Sequence, residues 1–138
     1  MLLGAGHLAI HFYEQINSCP KLDLIQWYNR SIDKIGFAKN QIKITNHIDD
    51  LEDADVYLIC VKDEAIKSIS EKIKRNSLAV HCAGGIPIDE LEGSIRKGVF
   101  YPLQSFTKER SLSFDKLPIC IEALEKKDQN LLCEFAIQ

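Results

Sequence analysis

"MLLGAGHLAIHF" (residues 1–12) decides how the rest of the chain is read. Its glycines fall in the spacing Gly4-x-Gly6-x-x-Ala9, the pattern of a turn that carries a strand into a helix beneath a bound dinucleotide. Gly4 permits the tight turn, Gly6 lets a pyrophosphate come against the backbone, and Ala9 stands where helix meets strand. Leu8, Ala9, Phe12 and Ile16 then recur at helical spacing, so a helix is expected from about Gly6 to just before Pro20. The free N–H groups at its start would receive the phosphates. Taken alone, such a motif is also compatible with a small-residue turn that holds no ligand. Only Met1, Leu2 and Leu3 precede it, which leaves the first strand several residues short.

Working outward, the chain alternates between strand-like and helix-like stretches. "LDLIQWY" (22–28), "IKIT" (42–45), "DVYLICV" (55–61), "SLAVHCAGG" (77–85), "GVFYPLQSF" (98–106) and "LPICIEAL" (117–124) read as strands. The run at 55–61 is almost continuously apolar, as expected of a strand covered on both faces. Residues 31–41 read as a short helix capped by Ser31, 49–54 as a helical turn, and 64–74 as an amphipathic helix capped by Asp63. A further turn is expected at 87–93 with Pro87 at its start, and a last helix begins at Lys126. A parallel neighbour needs a crossover, usually a helix, so this alternation predicts an α/β fold: a doubly wound, mostly parallel sheet with helices on both faces. Ligands of such sheets lie outside the carboxyl ends of the strands.

The 138 residues, 46% hydrophobic and 27% charged, suit one globular domain with a sizeable core. Lys and Arg are interspersed with Asp and Glu and the net charge is −3, so no basic stripe exists to hold nucleic acid. Cys19, Cys60, Cys82, Cys120 and Cys133 show neither disulfide-framework nor zinc spacing and read as buried thiols of a reducing, cytoplasmic compartment. The acidic run Asp49, Asp50, Glu52, Asp53 and Asp55 lacks the glycine of a calcium loop and reads as a solvated turn, so no metal is expected. The apolar opening lacks the basic region and cleavage site of a signal peptide, and no run approaches the roughly 20 apolar residues of a membrane span.

"WYNRS" (27–31) ends the second strand. An acid usually stands here to bind a free ribose 2′-hydroxyl, whereas Arg with small polar donors suits a 2′-phosphate. Asn29, Arg30 and Ser31 therefore favour NADP over NAD. A solvated loop with Ser31 as a helix cap is the alternative.

Together "GAGHLA", "WYNRS", "ADVYLICVKDEAI", "VHCAGGIPIDEL" and "GVFYPLQSF" resemble the cofactor domain of a family of Rossmann-like NADP oxidoreductases. That family is related to pyrroline-5-carboxylate reductase and deazaflavin-dependent NADP reductase. The resemblance covers nearly the whole chain. It implies that Gly4, Ala5, Gly6, His7 and Leu8 surround the pyrophosphate and that Asn29, Arg30 and Ser31 meet the 2′-phosphate. Val61, Lys62 and Asp63 would pass the adenosine side and ribose, and Ala83 and Gly84 would approach the nicotinamide. The implied reaction moves hydride to or from a small carbonyl or imine substrate. A noncatalytic NADP-binding or sensing module and a truncated gene remnant are the other readings.

Members of the group continue into a helical domain that usually dimerises. Against that pattern, residues 1–125 are expected to form the NADP-binding domain and 126–138 the start of a linker or second-domain helix. The helical domain is expected to be missing, with the chain clipped at both ends and any homodimer depending on the missing part. The apolar residues Leu131, Leu132, Phe135 and Ile137 are then expected to lack a partner. Candidates for chemistry are His81, which as the strand neighbour of Cys82 points to the opposite face, and Tyr101, at a strand end where the related prephenate dehydrogenases carry His-Pro. Gln104 and Ser105 could bind polar substrate atoms.

Overall fold

Leu2 and Leu3 lie between two parallel neighbours, and that pairing arranges the other strands around them. The computed structural model describes residues 1–106 and 117–137. Strand β1 (Leu2–Leu3) pairs with β2 (Gln26–Tyr28) and with β4 (Val56–Ile59), matching Leu2 with Trp27 on one side and Leu58 on the other. Beyond them lie β3 (Lys43–Thr45), β5 (Leu78–His81), β6 (Arg96–Pro102) and β7 (Ile119–Ala123). The sheet runs in the order β3-β2-β1-β4-β5-β6-β7, parallel throughout except for the antiparallel β6–β7 pair. This is the expected doubly wound α/β sheet.

Alternate residues of each strand face opposite layers. On one side Leu2, Trp27, Leu58, Val80 and Phe100 meet α1 (His7–Ser18) through Ala9, Phe12, Tyr13 and Ile16. Tyr13 stacks on Trp27 with ring centroids 4.8 Å apart. On the other side Leu3, Tyr57, Ile59 and Ala79 meet α2 (Ile66–Ser70) through Ile66, together with Ile88 and Leu91.

Several elements are shorter than their patterns suggest. The helix expected over 31–41 is two 3₁₀ turns, Ile32–Lys34 and Gly36–Ala38, and that expected over 64–74 is a 3₁₀ turn, Asp63–Ala65, followed by α2. Asp63 lies inside that turn, so it is not the cap. β2 begins at Gln26 rather than Leu22. Of the cysteines, Cys82 is buried, Cys19 and Cys60 are partly so, and Cys120 and Cys133 are exposed.

The helix from Lys126 brings a correction. α3 (Lys126–Ala136) lies on β6 and β7, with Leu132 fully buried and the Phe135 ring 5.0 Å from that of Phe100. Asp128, 1% exposed, takes an ion pair from Arg96 of β6. Leu131, Leu132 and Phe135 therefore have the sheet as partner, because the amphipathic period of the helix matches the face left open beside α1. Ile137, just past the helix, is exposed as expected. None of the described helices is long and apolar enough to cross a membrane.

Candidate functional site

The turn from β1 into α1 sits at the carboxyl edge of the sheet. Gly4 has φ +110°, and a Cβ there would run into the Cys60 carbonyl oxygen, so the fold itself demands glycine. Neighbouring strands hold the turn on both sides. The Gly4 N–H donates to the Tyr28 carbonyl at 2.9 Å, the Cys60 N–H to Leu3 at 2.7 Å, and the Trp27 indole N–H to the Gly4 carbonyl at 2.6 Å.

Gly6 is under no such demand. Its backbone is ordinary extended chain, φ −74° and ψ 176°, and a Cβ would come no nearer than 4.0 Å to the Cys60 oxygen. The space over Gly6 is open, and the first N–H groups of α1 face it with no side-chain cap and no acid in the first turn. Free helix-start donors beside an open backbone suit a phosphate group.

At the end of β2 the Asn29 N–H donates to Thr45 at 3.0 Å and its side-chain amide to the Ser31 carbonyl at 2.8 Å, which fixes the loop. Ser31 precedes the Ile32–Lys34 turn without capping it, so its hydroxyl is not used in the way the capping alternative supposes. Arg30 is exposed and has no ion pair among the described residues. In the middle of the edge, Val61 is half-buried while Lys62 and Asp63 are exposed.

The other end of the edge is built by β5 and β6. A Cβ on Gly84 would meet the Tyr101 ring at 2.5 Å: the phenol lies flush against the Gly84 backbone, half-buried, at the mouth of the edge. His81 is fully buried, and its Nδ1 accepts the Ala83 N–H at 3.3 Å while Nε2 has no partner among the described residues. Burial pushes its pKa below the usual histidine value, against the opposing pull of the Pro87 and Ala83 backbone and the Asp63 and Glu122 charges. Cys82 points to the opposite layer, where the Cys60 thiol contacts it at 3.6 Å. Burial raises the Cys60 pKa well above the usual thiol value, and the hydrogen bond and charge of Cys82 add to the rise. A nucleophile–base pairing of His81 with Cys82 is thus ruled out by direction, and the Cys60 thiol is held in the protonated, poorly nucleophilic form.

From β6 the chain returns toward α1, where the His7 Nδ1 lies 3.2 Å from the Phe106 carbonyl and the His11 ring lies 5.1 Å from that of Phe106. This strap and Tyr101 wall the edge between the glycine turn and the ends of β5 and β6. No group of three His, Cys, Asp or Glu among the described residues is placed to hold a metal ion.

Solved structures share the fold in longer chains. A Bacteroides fragilis protein assigned as an NADP oxidoreductase superposes with a TM-score of 0.84 at 31% identity, over 98% of this chain and 55% of its own. The fold is shared by prephenate dehydrogenase from A. aeolicus in complex with NAD+ (TM-score 0.73, 15% identity, 99% of this chain and 55% of that one). It is shared also by 1-pyrroline-5-carboxylate reductase from Streptococcus pyogenes (TM-score 0.70, 12% identity, 99% and 53%). The chain has the Rossmann-like fold of the NADP oxidoreductases. It spans about half the length of these structures. No protein-family profile and no curated protein matches it.

This Rossmann-like edge gathers most of the residues singled out by sequence: Gly4, Ala5, Gly6, His7 and Leu8 at the turn, Asn29, Arg30 and Ser31 at one end, Val61, Lys62 and Asp63 midway, and Ala83, Gly84 and Tyr101 at the other end. It does not bring in His81, which lies beneath the surface of the edge. Three features escaped the sequence reading. The Trp27 bond to Gly4 and the Phe106 strap depend on tertiary approach and leave no local pattern. The Cys60–Cys82 contact was foreseeable, because "YLIC" and "AVHC" are parallel runs whose register sets Ile59 beside His81.

Proposed function

We propose that this chain is the NADP(H)-binding part of an oxidoreductase that transfers hydride to or from a small carbonyl or imine compound. The observation that carries the reading is the pair of glycines: Gly4 is required by the fold, whereas Gly6 is not and leaves open space where the uncapped N–H groups of α1 begin. The pyrophosphate would lie over Gly6 on the α1 N–H groups, with Ala5, His7 and Leu8 around it. The 2′-phosphate would meet Arg30 and the Ser31 hydroxyl, a charge-assisted contact that NADH cannot make. Lys62 and Asp63 would flank the ribose, and Ala83, Gly84 and the Tyr101 ring would bound the nicotinamide.

When bound, the cofactor supplies or accepts the hydride. The residues of the chain orient it and exclude water, which is most of what hydride transfer asks of a protein. The Tyr101 hydroxyl is the candidate to orient a substrate oxygen or nitrogen, with Gln104 and Ser105 beside it.

Parallel titrations with NADPH and NADH, followed through the single tryptophan, test the reading. NADPH is expected to bind more tightly. Losing one charge-assisted contact costs about 1.5–3 kcal/mol, so Arg30→Ala should weaken NADPH at least about tenfold and leave NADH nearly unchanged. Equal curves for the two cofactors would refute the preference.

A further inference from the structure

Beside the glycine turn, two thiols touch. The register sets Ile59 of β4 beside His81 of β5, so the next residues, Cys60 and Cys82, leave adjacent parallel strands side by side. Both point to the layer that holds α1, and their sulfurs lie 3.6 Å apart. Neighbouring strands run about 4.7–4.9 Å apart, inside the range of about 4.4–6.8 Å that a disulfide spans between its Cα atoms. A modest closure would bond them. Backbone contacts also tie the pair to the edge. The Cys60 N–H donates to Leu3 at 2.7 Å, its carbonyl oxygen is the atom that excludes a Cβ at Gly4, and the Cys82 N–H donates to Ile59 at 3.2 Å. Directly after the two cysteines come Val61–Asp63 and Ala83–Gly84, neighbouring segments of the same edge.

We propose that Cys60 and Cys82 are an oxidation site at which a hydroperoxide forms a reversible disulfide, and that this bond weakens nucleotide binding at the edge. One thiol attacks the peroxide, whose O–O bond breaks to give a sulfenic acid and, from hydrogen peroxide, water. The second thiol then attacks that sulfur: the S–S bond forms, the S–O bond breaks, and the hydroxyl leaves with the proton of the thiol as a second water. Two electrons pass from the sulfurs to the peroxide, and a small dithiol returns them by exchange. Burial keeps the Cys60 thiol protonated, so the pair responds slowly and to sustained oxidant. Contact favours the disulfide over further oxidation, because the second thiol already stands at the sulfenic sulfur. Bonding shortens the sulfur separation from 3.6 Å to about 2 Å, which draws the ends of β4 and β5 together and narrows the crevice between Val61–Asp63 and Ala83–Gly84. The bond forms whatever the edge holds, while its effect on NADPH rests on the cofactor reading.

The test uses the full chain carrying Cys120→Ser and Cys133→Ser, which removes the exposed thiols. Hydrogen peroxide is added, and the single-chain band from nonreducing electrophoresis is digested with trypsin. Mass spectrometry should find residues 44–62 joined to residues 76–96, and dithiothreitol should separate them. NADPH titrations should then give an affinity about tenfold weaker for the oxidised chain than for the reduced one, restored by dithiothreitol. Cys60→Ala and Cys82→Ala, each checked by circular dichroism, should yield no crosslink and bind NADPH alike before and after peroxide. Reversal by dithiothreitol in the unmutated pair makes the same comparison without a core substitution. Sulfinic acid in place of the crosslink, a crosslink to Cys19, or equal NADPH affinity of the oxidised and reduced chains would overturn the proposal. A crosslinked chain that binds NADPH in neither state would reject the cofactor reading, and with it the effect on nucleotide, while confirming the disulfide.

Discussion

Gly4 and Gly6 stand two places apart and answer to different constraints. At Gly4 both the positive φ and the Cys60 carbonyl exclude a side chain, so Gly4→Ala should lower the melting temperature and destabilise β1 whether or not cofactor is added. At Gly6 the backbone is ordinary and the space is open, so Gly6→Val should keep a native circular dichroism spectrum and melting temperature while NADPH binding is lost. Calorimetric titration of the two variants separates a fold glycine from a ligand glycine. A Gly6→Val chain that still binds NADPH would place the cofactor elsewhere.

At the scale of elements, α3 depends on three contacts: Leu132 in the core, Phe135 on Phe100, and the Arg96–Asp128 ion pair. Leu132 is completely enclosed, so Leu132→Ala removes buried methyl groups and leaves a cavity, at an expected cost of about 2–5 kcal/mol in denaturant unfolding. The ion pair acts differently. Asp128 is buried with one oxygen lacking a partner among the described residues, so it contributes mainly by orienting the helix over β6, and Asp128→Ala would strand the Arg96 charge. If Leu132→Ala leaves the unfolding midpoint unchanged, α3 is not docked on the sheet in solution.

For the molecule as a whole, two buried bases make the fold sensitive to acid. Burial lowers the Met1 amine from 8.0 to about 6, against the opposing charge of Asp55. The unfolded chain therefore binds more protons than the folded one between those values, and stability rises as pH rises from 6 to 8. Two pKa units correspond to a contribution on the order of 2–3 kcal/mol, absent below pH 6 and complete above pH 8. His81, also lowered by burial, adds a loss of the same sign that begins as pH falls through the usual histidine value of 6.5. Thermal melts at pH 8, 7 and 6 should show a falling melting temperature, and blocking the Met1 amine by acetylation should flatten the part between 8 and 6. A melting temperature that is level or rises toward pH 6 would contradict this.

What the sequence by itself determined is what short-range pattern can carry. The order of strands and helices, the α/β class, the glycine turn and the Asn29-Arg30-Ser31 end of β2 were all legible, because apolar period, glycine spacing and residue type act within a dozen positions. The tertiary structure decided the rest, for reasons of neighbourhood. Residues 22–25 have the composition of a strand but remain outside β2, since a strand exists only where a partner offers its backbone and no strand among the described residues pairs with them. Leu132 and Phe135 read as a face without a partner until the sheet brought Phe100 and Val80 to them across more than 30 residues of chain. Gly84 read as room for a nicotinamide, yet the nearest thing to its backbone is the Tyr101 ring, which only the parallel register of β5 and β6 could set there.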